Sequence, residues 1–134
     1  MNLFLPLCIL TGRRGMSTMM TGQVVELTAE HFAEQILDAQ QPMLVDFWAS
    51  WCAPCRLMAP VVGALAETFA DRLIVGKVNV DRYPDLAVQS GVRSIPTLML
   101  FQHGILGHTW VGAQPQEYLV RELAHLLSHQ ATHS

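Results

Sequence analysis

Leu44-Val45-Asp46-Phe47-Trp48-Ala49 runs through Ser50 into Trp51-Cys52-Ala53-Pro54-Cys55. Apart from one acid, the first six residues are apolar on both faces, as a strand covered on both sides must be. Pro54 suits the opening turn of a helix, where its missing N–H forfeits no intrahelical hydrogen bond. A Cys-x-x-Cys at such a strand-to-helix junction is a redox site. The helix start leaves backbone N–H groups unpaired and carries roughly half a positive charge. A thiolate at Cys52 is stabilised there, which lowers its pKa below the value of about 8.5 for a free thiol and makes Cys52 the expected nucleophile. Cys55, one turn further on, is expected to be more buried and less acidic. Its position lets it attack the mixed disulfide that Cys52 forms with a substrate and release the reduced product.

Two other readings of the cysteine pair, half a zinc site or inert core thiols, fit less well. Structural zinc takes four ligands, and the third cysteine, Cys8, has no Cys-x-x-Cys or His-x-x-x-His partner near it, so no metal site is assigned. His125, His129 and His133 stand at i, i+4 and i+8 and would share a face if the last helix reached them. The run Ser128-His129-Gln130-Ala131-Thr132 reads as a polar, fraying end, so residues 129–134 are expected to be a solvated tail.

The 134 residues fit one domain with a sizeable core, being 51% hydrophobic and 14% charged. A formal charge of −3, with eight scattered basic residues, provides no basic patch for nucleic acid or an anionic membrane. Three cysteines, two of them in the motif, make no disulfide framework and point to a reducing compartment. Leu3 to Leu10 is apolar but too short to span a membrane, and Arg13 and Arg14 follow it, the reverse of a secretory signal. With no acid before Glu26, the stretch also weakly matches an organelle transit peptide. Three readings of residues 1–22 stand: a translation start in fact at Met16, Met19 or Met20, a targeting segment, or a structural extension.

From Gln23 onward short apolar strands alternate with amphipathic helices, which predicts an α/β sheet layered with helices. Strands are expected at Val24–Leu27, Met43–Ala49, Leu73–Val80, Thr97–Phe101 and Ile105–Val111. Helices are expected from Thr28 as N-cap with Phe32, Ile36 and Leu37 on one face, from Cys52 to about Phe69 with a kink at Pro60, over Pro84–Ser90 with Gly91 as the stop, and over Gln114–Ser128. Gln102-His103-Gly104 reads as a hairpin turn in which glycine supplies positive φ. Asp46, flanked by apolar residues in a central strand, is expected to be buried, where a carboxyl pKa rises.

Five motifs in order, Asp46-Phe47-Trp48-Ala49, Trp51-Cys52-Ala53-Pro54-Cys55, Asp81, Ile95-Pro96-Thr97 and Val111-Gly112-Ala113, make the chain resemble the thioredoxin family over roughly Gln23 to Leu127. The resemblance implies the thioredoxin fold, a central mixed sheet of about five strands flanked by about four helices, with residues 23–128 as the domain. It further implies that Ile95-Pro96 is a cis peptide beside the disulfide, with the Ile95 backbone pairing to substrate as an added strand. Asp46 would accept the proton of the resolving cysteine, with Lys77 as its basic neighbour; the alternative is a structural, hydrogen-bonded carboxyl. Trp51, Ala53, Pro54, Ile95, Pro96, Val111, Gly112 and Ala113 would form the rim that docks substrate chains, with Trp48 packed beneath.

The family's function would make the chain a protein-disulfide reductase working through Cys52 and Cys55. No bound cofactor is implied beyond that redox-active pair, with electrons arriving from NADPH through a thioredoxin reductase. Partners would be that reductase and disulfide-bearing client proteins, the state a monomer, and the location the cytoplasm, or an organelle if residues 1–20 are a transit peptide. Two positions depart from the usual pattern: Ala53 replaces glycine and Arg56 replaces lysine, and neither removes a catalytic atom. A disulfide oxidase or isomerase is the rival enzyme reading, disfavoured by the lack of histidine between the cysteines. A docking subunit that uses the scaffold without chemistry is the rival of another class.

Overall fold

A computed structural model describes residues 22–39 and 41–133 of the chain. The readings of residues 1–21, Cys8 among them, lie outside the described residues. Five strands form one mixed sheet: β1 (Val24–Glu26), β2 (Met43–Trp48), β3 (Ile74–Asn79), β4 (Thr97–Gln102) and β5 (Ile105–Val111). Their order is β1-β3-β2-β4-β5. The β1–β3 and β3–β2 pairs are parallel, and β2–β4 and β4–β5 antiparallel. Four helices, α1 (Phe32–Leu37), α2 (Ala53–Thr68), α3 (Pro84–Gln89) and α4 (Gln116–His133), complete the domain. This is the layered α/β architecture that the alternation of strands and helices implies, in the thioredoxin arrangement that the family resemblance implies.

Strand β2 lies at the centre of the sheet, and its first five residues are buried. Because side chains alternate across a strand, Leu44 joins the layer of Val62 and Leu65 from α2, Phe69 at its C-cap, and Leu119 and Leu123 from α4. Met43, Val45 and Phe47 face the opposite layer with Ile36 from α1 and Leu86 and Ala87 from α3. Asp46 shares the parity of Leu44, so its side chain is carried on the α2 side of the sheet. Gly76, opposite Val45 in β3, is the close-approach point of the second layer: a Cβ there would stand 2.8 Å from Cγ and Cδ1 of the fully buried Leu27.

Element boundaries differ from the sequence expectation by one residue at ends of β2, β3, β4, α2 and α3, and further differences fall in β1, α1 and α4. Thr28 does not cap α1; a turn closed by His31 N–H donating to the Thr28 carbonyl (3.2 Å) comes first, and the helix starts at Phe32 behind His31. The strand ladder of β1 ends at Glu26, although Leu27 N–H still donates to the Lys77 carbonyl at 2.9 Å. Helix α4 starts at Gln116, after Pro115, and continues to His133 instead of ending at Ser128. No glycine or proline follows Ser128 to stop it, so the backbone of 129–133 is helical where a tail was expected. The β4–β5 turn has two left-handed residues, His103 at φ 55° and Gly104 at φ 80°, matching a two-residue turn whose twist suits the flanking strands. Helix α2 passes through Pro60 without ending.

Candidate active site

The redox motif is held where the end of β2 turns into α2. Val80 N–H donates to the Trp48 carbonyl (2.9 Å), tying β2 to the end of β3, and Cys52 N–H donates to the Ala49 carbonyl (3.2 Å), closing the turn. Arg56, one of the two departures from the family pattern, reaches back with Nη1 to the Ser50 carbonyl at 2.8 Å. Cys52 has extended backbone angles and is the N-cap of α2; its Sγ accepts the N–H of Cys55 at 3.2 Å. The helix start thus aims a real donor at the Cys52 sulfur, the direction of stabilisation a thiolate needs. Ala53 and Pro54 occupy the first helical positions, exposed to solvent.

Cys52 and Cys55 are joined as a disulfide with their Cα atoms 5.2 Å apart. Cys55 is the more buried of the two only by a margin, 3% exposed against 4% for Cys52. Both pack in one small cluster with Ala49, against which Trp48, Val80 and Ile95 lean. In the oxidised pair the asymmetry therefore lies in position along α2, not in exposure.

Chain segments distant in sequence complete the surroundings. The Ile95–Pro96 peptide is cis, and the Cys52 Sγ lies 3.9 Å from the Ile95 carbonyl oxygen. Pro96 is buried and its carbonyl accepts the N–H of Gly112 at 2.8 Å, which brings Val111, Gly112 and Ala113 beside it. Trp51 is 66% exposed and Val111 59% exposed, while Ile95 and Gly112 are half-buried and Ala113 is exposed. Two large apolar side chains are thus left in water on either side of the disulfide.

On β2, Asp46 is only 5% exposed and its Oδ1 has no hydrogen-bond partner among the described residues. Burial pushes its pKa up to about 7, with the Lys77 charge acting in the opposite sense. Lys77 is the register partner of Asp46 across the β2–β3 ladder, and its Nζ sits 5.1 Å from the centre of the Trp48 ring. A carboxyl held near neutrality in its titration can take or give a proton at physiological pH.

Asp81, a motif residue in the sequence, has a contact that the motif does not reveal. Its Oδ2 accepts the indole N–H of Trp51 at 2.8 Å, and its own N–H is held by Asn79 Oδ1 at 2.9 Å. The signal available was Asn79 two positions before Asp81, a spacing that favours a side-chain-closed turn.

The family model for thioredoxin matches residues 23–125. The chain belongs to the thioredoxin family. It is 47% identical over 97 residues to thioredoxin 1 of Synechococcus elongatus, a match covering 72% of this chain and 91% of that protein. It is 48% identical over 101 residues to the thioredoxin of Alicyclobacillus acidocaldarius, covering 75% and 95%, and 42% identical over 105 residues to that of Porphyra purpurea, covering 78% and 98%. With the bonded Cys-x-x-Cys at the head of α2, membership makes the chain a thiol-disulfide oxidoreductase of the protein-disulfide reductase type. No helix among the described residues is long and apolar enough to cross a membrane.

Proposed function

We propose that the chain is a general reductant of client-protein disulfides, with Cys52 as nucleophile and Cys55 as resolving thiol. In the dithiol form the Cys52 thiolate attacks one sulfur of the client disulfide; the other client sulfur leaves as a thiolate. Cys55 gives its proton to Asp46 and attacks the Cys52 sulfur, forming the Cys52–Cys55 bond and releasing the second client sulfur. The client has gained two electrons and the protein is left oxidised. A thioredoxin reductase drawing on NADPH returns it to the dithiol, and the protein itself needs no bound cofactor. The client lies as an extended strand against the Ile95 backbone, over Trp51, Ala53, Pro54, Pro96, Val111, Gly112 and Ala113. The working unit is a monomer in the cytoplasm.

One observation carries this reading: a disulfide bracketed by exposed Trp51 and Val111 follows a central strand that holds a buried carboxyl whose pKa is raised to about 7. Lys77, opposite that carboxyl, limits the rise. The test is reduction of insulin disulfides with NADPH and thioredoxin reductase. NADPH consumption that vanishes in Cys52→Ser is expected. Client binding retained by the Cys52→Ser/Cys55→Ser double variant, with no reduction by the wild type, would point to a scaffold role instead.

A further inference from the structure

The loop after β5 is fastened at both ends. Gly112 N–H donates to the Pro96 carbonyl at 2.8 Å, and Gln114 Nε2 donates to the Val111 carbonyl at 3.1 Å, folding the loop on itself. The second anchor is unusual in kind: Gln114 N–H donates to the Sδ of Met58 at 3.4 Å, across 56 positions of sequence. Met58 lies on α2 three residues after Cys55 and is buried in the layer of Val62, Leu65, Trp110 and Leu119. A thioether is a weak acceptor. Its side chain is nonetheless the hydrogen-bond partner of a part-buried N–H, and an aliphatic side chain of the same size would fill the space while leaving that donor unpaired, which costs more than the bond itself returns.

We propose that Met58 is a positioning residue for client docking: its sulfur ties the Val111–Gln114 loop to the helix that carries both cysteines and so fixes the distance between the apolar rim and the reacting sulfurs. This rests on the reading that Val111, Gly112 and Ala113 dock clients. A protein client spans the rim from Trp51 to Ala113, so its affinity senses that distance. A small disulfide that meets only the sulfurs does not. The Met58 side chain is thus one turn from Cys55 on one side and bonded to the docking loop on the other, a link between chemistry and recognition that a Leu or Ile at this position would lack.

The experiment compares wild type, Met58→Leu and Val111→Ser. Met to Leu conserves volume, which cores tolerate well. In Met58→Leu the KM for insulin is expected to rise about threefold to tenfold with kcat within about twofold, and the reduction of cystine, a small disulfide, to stay within about twofold. Amide hydrogen exchange at Gln114 should speed about tenfold or more while that at Gly112 is kept. Unchanged KM and unchanged Gln114 exchange in Met58→Leu would overturn the proposal. Equal losses toward insulin and cystine would also overturn it, since they report general damage to α2. A raised KM in Val111→Ser with none in Met58→Leu defeats the role of the sulfur alone, whereas no rise in either defeats the docking reading as well. Exchange in the wild type is a check independent of any variant: an unprotected Gln114 amide would show that the sulfur holds nothing.

Discussion

The indole N–H of Trp51 donates to the carboxylate of Asp81 at 2.8 Å, and this bond holds an exposed aromatic ring beside the disulfide. The ring would otherwise be free to turn about its side-chain torsions, and each orientation would offer a client a different surface. Because Asp81 is itself held by Asn79 at the end of β3, the ring is referenced to the sheet.

Asp81→Ala is expected to raise the KM for insulin about twofold to fivefold and to lower stability by about 0.5–1 kcal/mol, the range for a hydrogen bond at an exposed site. Asp81→Asn keeps a carbonyl acceptor and should stay near wild type in both. Steady-state kinetics and urea denaturation midpoints check the pair; an Ala variant indistinguishable from wild type would remove the positioning role.

Asp46 couples stability to pH with a definite sign. Its folded pKa of about 7 exceeds the ordinary 3.8, so between these values the native state binds more protons than the unfolded state, and stability falls as pH rises. The fall is complete above pH 7, where the carboxyl is ionised in both states, and amounts to at most roughly 4 kcal/mol at about 1.4 kcal/mol per pH unit. Asp46→Asn should flatten the profile. It should be the more stable protein at pH 8, lose that advantage near pH 4, and resolve mixed disulfides more slowly near pH 7. Denaturation midpoints across pH 4–8 and single-turnover resolution rates measure the two effects separately. If resolution is unchanged, Asp46 is a structural carboxyl and the proton goes to water or to a base not yet named.

The two cysteines should separate by role even though their burial in the disulfide is nearly equal. Sγ of Cys52 accepts the Cys55 N–H at the helix start, so in the reduced protein alkylation is expected at Cys52 first. Cys55→Ser should accumulate mixed disulfides with clients through Cys52, and Cys52→Ser should accumulate few. Mass spectrometry of the trapped species decides; equal trapping by both variants would sink the assignment.

At Gly76 the expected effect is steric. A Cβ there meets Leu27 at 2.8 Å, and Leu27 is sealed in the second core layer. Gly76→Ala should therefore destabilise the fold by about 1–3 kcal/mol through overpacking, read as a lower urea midpoint at unchanged slope. An unaffected midpoint would mean that Leu27 has room to turn aside.

By itself the sequence determined the architecture and the chemistry. The alternation of apolar strands with amphipathic stretches is a local pattern, and it yields all five strands and all four helices because burial of one face acts on each element separately. Cys52 as N-cap follows from a strand end, a proline and two cysteines within a dozen residues. The burial of Asp46 follows from its apolar neighbours on a central strand. The tertiary structure alone decided the rest. The bond from Trp51 to Asp81 spans 30 positions and that from Gln114 to Met58 spans 56, and both depend on how the sheet and α2 are set against each other, which no neighbouring residue encodes. The near-equal burial of the two cysteines, with Ile95 and Val80 packed against them, depends on segments distant in sequence. The late start of α1 and the run of α4 to His133 had weak local signals, a threonine that could cap or turn and a polar end without a stop. Propensity leaves such ends nearly balanced.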